Sequence, residues 1–215
     1  MFGGINIAHI IIEFGSANTC KNNKKIVKEM YDELKRIDTN KHQITCKWQI
    51  FKNAGQNIPL DKGIFDYAYN YGRELGYPVT ASVFDLDSLR FLLQYEVPFI
   101  KIANNRKLDY LVGETLRNTH IYISCGSIEE LKFVKLFENI TPLLCVSNYP
   151  STVESYEKTY GTYLSNYGIS DHTTTFDLWN NYQPEIIEWH YKLPNSTGLD
   201  AGHFARTPEQ LQEVL

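Results

Sequence analysis

None of the four cysteines (Cys20, Cys46, Cys125 and Cys145) stands in a CxxC pair. That argues against a zinc site built from them. Three fall in or beside strand-like runs, which suits buried, reduced thiols of a cytoplasmic protein. Lysine and arginine form no dense run and the net charge is −4, so no nucleic-acid surface is expected. No window approaches the roughly 20 apolar residues of a membrane span. The apolar stretch over residues 5–14 is short, lacks a basic flank and contains His9 and Glu13. It reads as a first strand and not as a signal peptide. A glycine-rich dinucleotide turn is missing as well: the run Glu13-Phe-Gly-Ser-Ala17 lacks the fingerprint of an open doubly wound sheet.

What is present is apolar and aromatic. Of 215 residues, 43% are hydrophobic, with 3 Trp, 15 Tyr and 11 Phe. That is enough for the core of one large domain and too few residues for two full-sized ones. Strand-like runs at residues 8–14, 43–51, 77–84, 99–103, 120–124, 142–147, 167–170 and 185–191 are separated by crossover segments. Helical periodicity marks residues 23–37, 64–75, 86–95, 109–117 and 128–138, a short turn or two near 176–182, and a final start at 208–215. Alternation of this kind means a parallel sheet. Eight units without a linker predict a single compact (β/α)8 barrel over residues 1–215, with some helices very short.

In such a barrel the chemistry sits at the C-terminal strand ends. The polar residues there are Glu13, Lys47, Ser82, Lys101, Ser124, Ser147 with nearby Tyr149, His172 and His190. Lys47 and Lys101 lie inside apolar runs, where an ammonium is costly unless it meets an anion. That anion is either an internal carboxylate such as Glu13 or Glu188, or a bound phosphate or carboxylate group. His172 and His190 close successive strands, and Asp200 follows ten residues later. Two imidazoles and a carboxylate suit a divalent metal with open positions; two ordinary histidines and a loop aspartate are the plainer alternative. Asp171 is expected to be structural and His203 solvated. Ser82 and Ser147 could equally be capping hydroxyls, and Tyr149 a packing residue of a turn.

Five segments then resemble one family in its own order: Phe99-Ile-Lys-Ile-Ala103, Leu143-Leu-Cys-Val-Ser-Asn-Tyr-Pro150, Gly168-Ile-Ser-Asp-His-Thr173, Ile187-Glu-Trp-His190 and Phe204-Ala-Arg-Thr-Pro-Glu-Gln-Leu211. The family is that of N-acetylneuraminate (sialic acid) synthases, barrel enzymes that condense phosphoenolpyruvate with an amino-sugar aldehyde. The resemblance implies that His172 and His190 hold a divalent metal, Mn²⁺ in the family, with Mg²⁺ or Co²⁺ as alternatives. It implies that Lys47, Lys101, Ser82 and Ser124 bind the phosphate and carboxylate of phosphoenolpyruvate. Glu13 would lie beside the forming bond, Asp200 would be the metal-proximal acid, and Glu188 would orient substrate. Gln49, Ser147, Tyr149 and Ser170 would line the pocket. The products would be a sialic-acid-like 2-keto sugar acid and phosphate, and the assembly a homodimer.

The match has departures. Ala103-Asn-Asn-Arg106 stands where the family has a Ser-Gly-Glu-like run, so Asn104 replaces a serine and Arg106 an acid. Ala17-Asn18 stands where the family has Asn-His, and the loop after Asp200 is one residue longer. The family's C-terminal antifreeze-like domain, which supplies an arginine to the sugar, does not follow in this sequence. Asn104 and Arg106 are therefore expected to contact the acceptor, with Arg106 replacing that arginine. The alternatives are an aldolase or isomerase on the same barrel, and a non-catalytic ligand-binding or scaffold barrel.

Overall fold

The computed structural model describes residues 7–53, 55–115 and 119–215. Eight parallel strands close into a barrel in sequence order. They are β1 (His9–Gly15), β2 (Gln43–Ile50), β3 (Val79–Val83), β4 (Ile100–Ile102), β5 (Ile121–Cys125), β6 (Ile140–Cys145), β7 (Gly168–Asp171) and β8 (Ile186–His190), with β8 paired back onto β1. Each expected strand is present. The expected helix at 109–117 is found as Tyr110–Glu114, and its residues 116 and 117 lie outside the described residues, as do residues 5 and 6 of the first apolar stretch.

The helices are α1 (Ala17–Cys20), α2 (Lys24–Ile37), α3 (Lys62–Glu74), α4 (Leu86–Leu92), α5 (Tyr110–Glu114), α6 (Ile128–Val134), α7 (Val153–Tyr160), α8 (Asp177–Tyr182) and α9 (Pro208–Leu211). Most are short, as the chain length requires. Local chemistry starts them: side-chain oxygens of Asn23, Asp85, Ser127, Thr152 and Thr207 accept backbone N–H bonds at the starts of α2, α4, α6, α7 and α9. Helix α2 then buries Val27, Met30, Tyr31, Leu34 and Ile37, one apolar stripe against the barrel. None of the described helices is long and apolar enough to cross a membrane.

Strand periodicity sorts side chains between two cores. On β1, Ile10, Ile12 and Phe14 point outward into the shell between strands and helices. Ile11 points inward and packs with Phe99, Tyr122 and Leu143. The rings of Phe99 and Tyr122 stack at 4.0 Å, and below them His9 Nε2 lies 2.8 Å from the Thr45 hydroxyl. This plug fills the lower barrel. The next inward positions above it, Glu13, Lys47 and Lys101 among them, are polar, and the cavity begins there.

Candidate active site

Register brings the inward polar residues to one level. Glu13 pairs with Lys47 on one side and His190 on the other; Gln49 pairs with Ser82, Ser82 with Lys101, and Ser170 with Glu188. The resulting cavity, of about 360 Å³, is lined by these residues together with Ser124, Cys145, His172 and Asp200, and by Phe84, Tyr149, Leu199 and Phe204 towards its mouth.

The two lysines differ. Both are 2% exposed. Lys47 makes a close ion pair with Glu13, lies 3.8 Å from Glu188 and donates to the Ser82 hydroxyl at 2.8 Å. The sequence left an internal carboxylate and a bound anion open for it, and the structure supplies the carboxylate. Lys101 has no ion pair among the described residues; its ammonium donates to the Ser124 hydroxyl at 2.5 Å and to the Ile102 carbonyl at 3.3 Å. Burial pulls the Lys47 ammonium down to about 8, against the attraction of Glu188. Burial opposes ionisation of Glu188, yet Lys101, then Lys47, together with a 2.8 Å bond from the Ser170 hydroxyl, hold its carboxyl at about 2.

Removing one partner of a buried pair strands the other. Lys47→Met leaves Glu13 without its cation and is expected to cost about 3–5 kcal/mol. In a chain of this size that corresponds to a fall of about 6–20 °C in melting temperature, read by calorimetry. An unchanged melting temperature would mean that Glu13 is otherwise satisfied.

The acid limb of stability follows from Glu188. Its folded value lies below that of an exposed glutamate, so the unfolded chain takes up this proton first. The contribution is complete above pH about 4.5 and is lost as pH falls through about 2. Glu188→Gln is expected to flatten that part of the pH–stability curve. A curve as steep as that of the parent protein would show that other carboxylates dominate acid unfolding.

The histidines sit side by side, ring centroids 5.4 Å apart. Burial lowers both imidazoles below their usual range, so both are neutral at pH 7. His172 Nδ1–H donates to the Val146 carbonyl at 2.9 Å, which leaves Nε2 as the lone-pair nitrogen. Its backbone N–H donates to the Tyr156 hydroxyl, which itself donates to the Ser170 carbonyl. His190 Nδ1 is buried without a hydrogen-bond partner among the described residues. Phe204 packs edge-on to His190 at 4.8 Å, and Tyr149 tilts over His172 at 4.1 Å. Among the described residues no three His, Cys, Asp or Glu side chains gather as a ready-made metal cage. What is present is a pair of neutral imidazoles, one ring fixed through its far nitrogen and the other with an orphaned buried nitrogen. That donor set fits a divalent cation whose remaining ligands are oxygens of water or substrate.

Most of the expected site residues converge. Glu13, Lys47, Gln49, Ser82, Lys101, Asn104, Ser124, Tyr149, Ser170, His172, Glu188, His190 and Asp200 all line the cavity. Ser147 does not; it lies exposed past the end of β6 and accepts a 3.0 Å bond from the Asn104 amide, while Cys145 takes the lining position one step earlier. Arg106 is the clear correction. It begins a 3-10 turn, and its guanidinium donates to Glu130 at 3.0 Å and Asp109 at 3.1 Å, away from the cavity lining. Those two carboxylates satisfy it, and it is not among the residues that line the cavity. Asp171 is structural, as expected: its carboxylate accepts from the Trp189 indole, from the Thr173 N–H and from the buried Arg206. His203 is exposed.

Sequence reasoning missed Ser16, Asn18 and Asn57. Asn18 is buried and donates to Asp200 at 3.1 Å and to Asn57 at 2.6 Å, and Asn57 lines the mouth. The polar run after Glu13 was the available signal for the first two; Asn57 lies in a loop that carries none.

An eight-stranded parallel barrel with a polar, histidine-containing layer at its C-terminal strand ends defines the class: a (β/α)8 barrel with its candidate active site at that face. More particularly, the chain belongs to the NeuB family, whose family model matches residues 16–215. Solved structures agree on the fold. The N-acetylneuraminic acid (sialic acid) synthetase from Leptospira borgpetersenii serovar Hardjo-bovis, in complex with citrate, superposes with a TM-score of 0.80 at 23% identity, covering 98% of this chain and 82% of that one. The spore coat polysaccharide biosynthesis protein spsE from Bacillus subtilis gives 0.73 at 18% identity, over 96% of this chain and 66% of that one. A truncated 3-deoxy-D-arabino-heptulosonate 7-phosphate synthase from Thermotoga maritima gives 0.66 at 12%, over 97% and 84%. No curated protein sequence matches the chain.

Proposed function

We propose that this chain condenses phosphoenolpyruvate with an N-acetylmannosamine-like aldehyde, giving a sialic-acid-like 2-keto sugar acid and inorganic phosphate. The observation that carries the reading is the layer in which two neutral imidazoles and the Lys101 ammonium, which has no ion-pair partner among the described residues, line one cavity. Family membership supports it.

Charge explains why a cation belongs to the reading. The lining holds two ammoniums, Lys47 and Lys101, against three carboxylates, Glu13, Glu188 and Asp200. With neutral histidines the cavity carries one net negative charge. A polyanion would be repelled there, and a divalent ion, which His172 and His190 would hold, would reverse the sign. Such an ion, Mn²⁺ in our reading, supplies Lewis acidity for the aldehyde oxygen.

The rest is the work of side chains. Lys101 and the Ser124 hydroxyl hold one anionic end of phosphoenolpyruvate, and Lys47 with Ser82 the other. Glu13 lies beside the forming bond, and Glu188, kept ionised by the lysines, orients the substrate. Gln49, Asn104 and the half-exposed Tyr149 meet the acceptor. C3 of phosphoenolpyruvate attacks the aldehyde carbon, water adds at C2, and the C2–O bond to phosphate breaks to leave the keto group.

The test is inorganic phosphate released from phosphoenolpyruvate by metal-stripped protein, with and without Mn²⁺ and N-acetylmannosamine. Release that needs both is expected. If neither phosphoenolpyruvate nor Mn²⁺ produces release or raises the melting temperature, the synthase reading fails.

A further inference from the structure

We infer that Asn18 is the positioning residue that fixes which oxygen of Asp200 the active cavity receives; the inference rests on the synthase reading for its functional consequence. Asp200 lies on a short 3-10 turn (Leu199–Ala201) beyond β8, a placement that by itself would leave the carboxylate free to rotate. Three donors prevent that, all aimed at Oδ2. The Ser16 N–H reaches it at 3.1 Å, the Ser16 hydroxyl at 3.0 Å and the Asn18 amide at 3.1 Å. Among the described residues Oδ1 meets only the Gln49 amide, at 3.4 Å, and Gln49 and Asp200 both line the cavity. One oxygen is saturated by the protein and the other is left for the reaction.

Asn18 is the part of this arrangement that joins Asp200 to the neighbouring loops through one side chain. Ser16 also caps α1, accepting from the Asn18 N–H at 3.3 Å. The Asn18 side chain is spent wholly on tertiary contacts: its NH₂ group donates to Asp200 and to Asn57, and its oxygen accepts from the Ile58 N–H at 3.2 Å. One buried amide thus ties together the loops after β1, β2 and β8. The backbone makes room for it. Gly15 has a φ of +78°, and a Cβ there would sit 2.7 Å from the Asp200 Cβ, so the carboxylate packs against bare backbone. An asparagine supplies two donors and an acceptor without charge, which holds the Asp200 carboxyl group in one orientation.

A positioning residue should act through the group it positions. In the phosphate-release assay, Asn18→Ala is expected to lower kcat about 30- to 100-fold, the scale of misplacing a reacting group by about 1 Å, with the KM for phosphoenolpyruvate changed less than about twofold. In an Asp200→Ala background the same substitution should change kcat by less than about twofold, because the two residues act as one unit. Equal losses in both backgrounds, or a loss confined to KM, would overturn the inference. Should Asn18→Ala not fold at the assay temperature, Asn18→Gln, which keeps the amide one methylene further out, is measured in the same way with a smaller loss expected. If the parent protein releases no phosphate under any condition, the synthase reading is what has failed. A crystal structure of Asn18→Ala then decides the positioning separately: a rotated Asp200 carboxylate supports it, and an unmoved one overturns it.

Discussion

His190→Ala is expected to abolish Mn²⁺-dependent phosphate release, by at least about 100-fold, since losing a group that merely orients a metal ligand already costs about 10- to 100-fold in affinity or activity. The ring stands on the last residue of β8, buried, with an unpartnered Nδ1 beside neutral His172. An orphaned buried nitrogen costs stability in the absence of a ligand, so its retention is most simply explained by something that uses it. For the same reason alanine should leave the metal-free protein folded, and the melting temperature separates loss of metal from loss of structure. Mn²⁺ titration should show weakened binding in parallel with lost release. Undiminished release with an unchanged Mn²⁺ dependence would remove the histidine pair from the mechanism. His172→Ala makes the complementary comparison. Its ring also donates to the Val146 carbonyl, so it is expected to lose both metal and some stability.

Lys101→Met should raise the KM for phosphoenolpyruvate by about 30-fold or more, because truncating a buried charge that meets an anion costs about 2–5 kcal/mol. The two lysines look interchangeable in sequence, each in an apolar strand. In the structure they are not. Lys47 is already neutralised by Glu13, whereas Lys101 spends its ammonium on a hydroxyl and a carbonyl. The charge still available to an incoming anion is therefore mainly that of Lys101. Lys101→Met should weaken binding of phosphoenolpyruvate more than Lys47→Met does, while Lys47→Met should cost more stability. Steady-state kinetics and thermal melts on the same two variants read both halves. The reverse order in KM would assign the anion to Lys47 and make Glu13 the group that must give way.

Arg106 stands where the sequence departs from the family pattern, and there sequence reasoning alone misplaces it. The sequence places it three residues beyond the cavity-lining Ala103, and a cation near the acceptor's entry is chemically attractive. The 3-10 turn after Asn105 instead carries it towards Glu130 and Asp109. Which carboxylates a long side chain reaches depends on neighbours from another β/α unit, and α6 supplies Glu130. Helix α7 went unread for a related reason. Its buried residues are Tyr156 and Tyr160, amphipathic side chains whose hydroxyls reach strand carbonyls, so the aliphatic period that marks α2 is absent. Its Thr152 cap was visible, but a cap before a tyrosine-rich run is a weak signal.

The strands, their number and the polar residue near the end of each were legible in the sequence alone, because a short apolar run between polar, helical or turn segments is a local property of the chain. The pairing of histidines across β7 and β8 followed once the strands were counted round a barrel. Tertiary structure alone decided how each charge is spent: Glu13 on Lys47, Arg106 on Glu130, and one oxygen of Asp200 on Ser16 and Asn18, with 184 and 182 residues separating these last partners. Contacts at that range are set by barrel closure and register, and only in the closed barrel do those desolvated charges find their partners.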